Sequence, residues 1–178
     1  MYPPVRGIFY LIKYLSMEVK EYSFNYESYE GIEELNEEDR WLLDQAREAT
    51  QLSYAPYSNF LVGAVALLDN GEIVSGANQE NASFPAGLCA ERVVLAAISS
   101  SYPKSAIIKM AISYHNIEGE SNKPITPCGV CRQALQESIY KSGKQFRLIL
   151  AGMSGNVMVI PEASGLLPFS FTGRDMGK

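Results

Sequence analysis

Apolar residues along the chain fall partly in short continuous runs and partly in stripes three and four positions apart. The alternation of these two rhythms predicts strands and helices in turn, and so one α/β sheet domain with helices on its faces. Asn36 stands before Glu37, Glu38 and Asp39. This is a helix start: a side-chain oxygen for the free amides and negative charge at the positive dipole end. Trp41, Leu42, Ala46, Ala49 and Leu52 follow at helical spacing, which predicts a helix over residues 37–52 with these side chains inward. Residues 54–59 (YAPYSN) break it, since Pro56 and the residue before it resist helix.

Residues 60–68 (FLVGAVALL) read as a buried strand, Asp69-Asn70-Gly71 as a hairpin turn and residues 72–75 as the returning strand. A polar loop at residues 78–81 leads to a helix from Cys89, with Val93, Val94, Ala97 and Ile98 inward and an end at Ser99-Ser100-Ser101 and Pro103. Residues 107–113 are a strand candidate, and residues 118–123 a polar loop. Cys128 opens another helix carrying Val130, Ala134, Leu135 and Ile139, stopped by Gly143. Residues 146–151 and 157–160 complete the strands. Residues 161–178 read as an irregular tail with an apolar knot at 166–171, and residues 18–35 as an extended lead-in without a period.

Composition narrows the picture. The chain has 178 residues, 47% of them hydrophobic, with a net charge of -5. A nucleic-acid partner would want a basic face, so none is expected. Residues 7–15 (GIFYLIKYL) are apolar but interrupted by Lys13 and too short to span a bilayer, so no membrane partner is expected either. That stretch reads as a segment preceding an alternative start at Met17, or as an arm that packs on a partner.

All three cysteines fall in two motifs, Cys89-Ala90-Glu91 and Cys128-Gly129-Val130-Cys131. Three is an odd number for a closed disulfide set, and the clustering suits metal ligation in a reducing compartment. CxE followed by PCxxC is the zinc-deaminase pattern. Three thiolates hold zinc and leave a fourth position for water. Cys128 and Cys131 are one helical turn apart, so both sulfurs can point the same way. Cys89 and Cys128 sit where helix N-termini are expected, which favours the thiolate. A closed structural site would need a fourth ligand, and His115 is the sole histidine. Glu91 can reach the water without binding the metal, as a general acid and base. Three thiolates leave a divalent ion negative by formal count, and Arg92 and Arg132 are the candidates to offset that.

With these residues in hand, the chain resembles the cytidine deaminase family, in particular its small homotetrameric zinc type with three cysteine ligands. The resemblance rests on Tyr54-Ala55-Pro56-Tyr57-Ser58-Asn59-Phe60, Val62-Gly63, Asn78 with Glu80-Asn81-Ala82-Ser83, Cys89-Ala90-Glu91-Arg92, Pro127 to Gln133, and Leu166-Leu167-Pro168 with Phe171. It covers about residues 36–173. It implies a three-layer α/β/α fold with a central mixed sheet, a catalytic domain over residues 36–178 after an N-terminal extension over residues 1–35, and one zinc per chain held by Cys89, Cys128 and Cys131. It implies Glu91 as the catalytic residue, Phe60 packing on the pyrimidine, Asn78 and Glu80 binding the ribose hydroxyl, the Ala90 amide binding the base carbonyl, and Arg92 neutralising cysteine sulfur. Phe171 resembles an aromatic given to a neighbouring subunit's pocket, which implies a homotetramer with shared sites. Residues 85–88 depart from the commonest family sequence.

The expected reaction is hydrolytic deamination of cytidine and deoxycytidine to uridine and deoxyuridine, in cytoplasmic pyrimidine salvage. The alternatives are deamination of a cytosine nucleoside analogue such as blasticidin, and a non-catalytic zinc-stabilised nucleoside-binding or scaffold protein.

Overall fold

In a computed structural model the structure describes residues 18–177. The apolar stretch at residues 7–15 and the alternative start at Met17 lie outside them. Six strands, β1 (Glu27–Tyr29), β2 (Phe60–Leu68), β3 (Ile73–Ala77), β4 (Ile107–Asn116), β5 (Arg147–Ala151) and β6 (Val157–Ile160), form one sheet in the order β1-β6-β5-β4-β2-β3. β4 and β5 pair in parallel and every other pair is antiparallel, so the sheet is mixed. Three α-helices accompany it: α1 (Glu37–Ala49), α2 (Ala90–Ser101) and α3 (Gly129–Ser142).

The alternation along β2 sorts the core into two halves. Ala64, Ala66 and Leu68 join Val94, Ile98, Leu135 and Ile139 beneath α2 and α3. Val65 joins Leu42, Leu43, Ala46 and Ala49 beneath α1. The architecture is therefore three layers, with α1 on one face and α2 and α3 on the other. At Gly63 a Cβ would come within 2.2 Å of the Ala46 carbonyl oxygen, so a glycine lets the end of α1 lie directly on β2.

Most predicted elements are found where the pattern put them. The Asn36 side chain caps α1 by accepting from the Asp39 amide at 2.9 Å. Gly71 takes φ +84 in the hairpin turn, and Gly143 takes φ +68 past the end of α3. Several details differ. Trp41 is exposed and Leu43 takes the inward place, since the face of α1 on the sheet is Leu42, Leu43, Ala46 and Ala49. Leu52 is exposed because α1 ends at Ala49 and a 3-10 turn follows. Val130 is exposed as well, for it lies in the first turn of α3 at the mouth of a cleft. β4 runs on to Asn116, since β2 supplies partners along its whole length. In the tail Leu166 is buried, but Phe169 and Phe171 are exposed.

Residues 27–29, read as lead-in, form the edge strand β1 beside β6. A charge network fastens it. Arg147 of β5 donates to both Glu27 oxygens, at 2.6 and 3.1 Å, and to Asp39 of α1 at 3.0 Å. Lys109 of β4 donates to Asp39 at 2.6 Å and also pairs with Glu38. Burial alone would raise the Asp39 carboxyl, but Lys109, Asn36 and Arg147 hold it below its ordinary value. A carboxyl depressed in the folded state gives stability that is present above its unfolded pKa and lost as pH falls through the folded one. Asp39→Asn is expected to cost about 3 kcal/mol, because two cations then face a neutral group. Urea midpoints should show that loss at pH 7 and a smaller gap between wild type and variant below about pH 4.

Candidate active site

The N-termini of α2 and α3 meet at one place on the same side of the sheet. Cys89 is the residue before α2 and Cys128 the residue before α3, both with extended backbone. Cys131 lies in the first turn of α3, and its amide donates to the Cys128 sulfur at 3.5 Å. Cys89 Sγ and Cys128 Sγ are 3.9 Å apart, and Cys128 Sγ and Cys131 Sγ 3.4 Å. All three sulfurs lie within 4.8 Å of one another. A tetrahedral zinc with bonds of about 2.3 Å separates its sulfurs by about 3.8 Å, so this triangle fits that ion. His115 is exposed on β4 and stands outside the group, which gives the fourth-ligand alternative no support.

Charge around the sulfurs is organised for metal binding. The Cys89 thiol is drawn down to about 5, first by the Cys131 thiol and then, against the cost of burial, by the Arg92 guanidinium. Cys131 is pushed up, by the neighbouring Cys89 sulfur and by its full burial. Arg92 donates to the Gly87 carbonyl at 2.7 Å, which turns its guanidinium toward Cys89 and Cys131. Arg132 does something else. It donates to the Pro127 carbonyl at 2.8 Å, the Leu166 carbonyl at 3.2 Å and the Thr126 hydroxyl at 3.1 Å. Of the two arginines expected to offset thiolate charge, Arg92 is placed for it, and Arg132 is occupied in tying loops together.

Glu91 is buried beside the sulfurs, with 5% of its surface exposed. Burial pushes its carboxyl above the usual range, and the negative Cys89 sulfur adds to the effect. Ala90 is fully buried at the first position of α2, where amides have no carbonyl partner within the helix.

These groups open on a cleft of about 540 Å³ lined by Asn78, Glu80, Cys89, Glu91, Arg92 and Cys128, with Val62, Leu88, Ile125 and Val130 as apolar wall. A second cavity, about 570 Å³, lies between the outer sides of α2 and α3 near Tyr102 and Lys141 and contains none of these residues. The wall of the first is braced from several places. Gln79 pairs with Leu88 through both backbone groups, at 2.8 and 2.9 Å. Asn78 accepts from the Val62 amide at 2.8 Å and donates to the Phe60 carbonyl at 2.9 Å, keeping one amide hydrogen free of those two bonds. Glu80 accepts through one oxygen from the Tyr57 amide at 2.8 Å and the Ser58 amide at 3.3 Å. The Ser58 and Tyr57 donors hold the Glu80 carboxyl below its ordinary value, so it stays ionised.

The structure thus brings together Cys89, Ala90, Glu91, Arg92, Cys128, Cys131, Asn78 and Glu80. Phe60 stacks on Tyr114, centroids 4.9 Å apart, and Phe171 projects from the tail with 60% of its surface exposed. Neither lines the cleft of the single chain. Phe84, Ile125 and Thr126 do line it and carried no motif to mark them. The one sign in the sequence is an aromatic, Phe84, set between a polar loop and Pro85 on the approach to Cys89.

Comparison with known proteins agrees with this geometry. Residues 36–143 match the family model described as the cytidine and deoxycytidylate deaminase zinc-binding region. The cytidine deaminase of Halalkalibacterium halodurans is 36% identical over 135 residues, which are 76% of this chain and 95% of that protein. The cytidine deaminase of Sporosarcina psychrophila is 32% identical over 76% of this chain and 92% of its own length. Among solved structures, cytidine deaminase from Burkholderia pseudomallei matches with TM-score 0.65 and 33% identity over 77% of this chain and all of that one. That from Mycobacterium tuberculosis matches with TM-score 0.56 and 30% identity over 74% of this chain and 94% of its own. With the ligand triangle, the buried glutamate and the mixed sheet all in agreement, the chain belongs to the cytidine and deoxycytidylate deaminase family.

Proposed function

We propose that the protein hydrolyses cytidine and deoxycytidine to uridine and deoxyuridine, releasing ammonia. The observation that carries this is the buried Glu91 set beside three converging cysteine sulfurs at the floor of one cleft. Cys89, Cys128 and Cys131 would hold one zinc, whose chemistry here is to polarise a water for attack on the ring carbon that bears the amino group. Arg92 withdraws charge from the sulfurs and keeps the set from becoming too electron-rich. The Glu91 carboxylate would take a proton from that water and hand it to ring N3 as the hydroxyl adds to the ring carbon. It would then take the proton of the added hydroxyl and hand it to the departing amine, so that the carbonyl forms as ammonia leaves. Its burial suits the uptake steps, since a carboxylate whose pKa is raised is the stronger base toward the protons it must collect.

The cleft wall supports a nucleoside in place of a free base. Glu80, ionised and with one oxygen uncommitted, can accept from a ribose hydroxyl while Asn78 donates its remaining amide hydrogen. The Ala90 amide takes the base carbonyl. By its place in the family pattern Phe60 would pack on the pyrimidine, although in the single chain it stacks on Tyr114 outside the cleft. Phe171, exposed on its own chain, would complete the cleft of a neighbouring copy in a homotetramer. The catalytic domain is residues 36–178, preceded by an extension over residues 1–35, of which Glu27–Tyr29 add β1 to the sheet. Net charge of -5 and reduced cysteine ligands support a small-molecule role in cytoplasmic pyrimidine salvage. No helix among the described residues is long and apolar enough to cross a membrane.

The test is loss of the cytosine absorbance band with purified protein of known zinc content. Cytidine and deoxycytidine should both be consumed, and free cytosine should react at least about a thousandfold more slowly, because a site built for a hydroxyl is left with unpaired polar groups by the bare base. Equal rates for base and nucleosides would remove Asn78 and Glu80 from the reading. No loss with either nucleoside would remove the activity.

A further inference from the structure

The tail that carries Phe171 is held in an unusual way. Its backbone is pinned at several points while the ring itself is left out in the open. Arg132 of α3 donates to the Leu166 carbonyl at 3.2 Å, and Gln133, the next residue, donates to the Phe171 carbonyl at 2.8 Å. Past Phe171, Thr172 and Asp175 close a capping box. Gly173 then lies so close to Tyr140 that a Cβ would stand 2.7 Å from its ring. On the other side of the tail, Phe24 packs against Gly165, where a Cβ would meet its ring atoms at 3.2 Å, and the Tyr22 ring sits 5.8 Å from that of Phe169. Phe169 itself is in the left-handed region at φ +55. A phenylalanine there is strained, and strain persists where the surroundings over-determine the backbone.

Pinning a backbone on both sides of an exposed ring is what presenting that ring requires. A free tail would lose the ordering entropy at the moment of contact, whereas a pinned one has already given it up. We infer that Gln133 is a positioning residue for the shared site: with Phe24 as the opposite jaw, it fixes the backbone of Phe171 so that the ring enters a neighbouring copy's cleft. The inference rests on the reading of Phe171 given above. It also gives the lead-in at residues 18–26 a task, namely to back the C-terminal tail.

Three variants test it: Gln133→Glu, which keeps shape but puts an acceptor against the Phe171 carbonyl, Phe24→Ala, and Phe171→Ala. Gln133→Glu should raise KM for cytidine about tenfold, the worth of one neutral hydrogen bond, with kcat within about twofold and zinc unchanged. Phe24→Ala should shift KM in the same direction. Both effects should vanish in the Phe171→Ala background, since the ring they position is then missing. A wild-type KM in Phe171→Ala overturns the shared-site reading and this inference together. A raised KM in Phe171→Ala with a wild-type KM in Gln133→Glu, or with additive effects in the double variant, overturns the positioning role alone.

Discussion

Glu91→Gln is expected to lower kcat for cytidine by about a thousandfold while the protein keeps its full zinc complement. The two side chains have nearly the same shape, so the buried position in the first turn of α2 is filled either way. The amide, however, can neither take a proton nor give one at neutral pH. None of the ligands is touched, and Cys89 keeps Arg92 beside it. KM should change little, because the loss falls on the chemical step and not on binding. Zinc content by atomic emission and turnover by absorbance, measured on one preparation, decide the matter. A variant that turns over within about tenfold of wild type would deprive Glu91 of its role in proton transfer. That result would return weight to a zinc-stabilised binding protein, for which the carboxyl has no chemical duty.

Cys128→Ser should abolish both bound zinc and turnover while leaving a folded protein. Cys128 is exposed and belongs to neither half of the core, so truncating its sulfur opens no cavity. Serine is also a better helix cap than cysteine and can take over the bond from the Cys131 amide. The far-ultraviolet spectrum should therefore be unchanged, and zinc retention after dialysis should fall below about a tenth of one ion per chain, since two thiolates and a neutral hydroxyl do not make a catalytic zinc site. Full zinc and normal turnover in this variant would strike Cys128 from the ligand set.

The chemistry of the site was legible in the sequence because it is local. A cysteine directly before a helix and another one turn inside it are arrangements that spacing alone can state. Asn36 as a cap and the alternation along β2 were legible for the same reason. What escaped depends on distant partners. Three residues, Glu27 to Tyr29, carry no apolar run, and they become a strand because β6 offers an edge and Arg147 a pair of hydrogen bonds. Trp41 and Leu43 both suit a helical stripe, and only the face that α1 lays on the sheet, where Leu43 joins Val65 and Ile149, selects between them. Arg92 and Arg132 each adjoin a ligand motif, and the Gly87 and Leu166 carbonyls, remote in sequence from one another, assign them different work. Phe84, Ile125 and Thr126 reach the cleft on loops from separate parts of the chain, a relation that no periodicity encodes.

The meeting of α2 and α3 at the sulfurs also bears on how the chain resists unfolding. Cys89 and Cys128 are 39 positions apart, and the segment between them contains α2 and β4, one of the central strands. An ion gripped by both closes that segment into a ring in the way a covalent staple would. By the loop-entropy relation such a closure removes about 4 kcal/mol of disorder from any unfolded chain that retains the ion. The three-cysteine site would thereby also be a clasp across the middle of the sheet, and a chelator that strips it would lower the domain's resistance to denaturant while the fold itself stays in place.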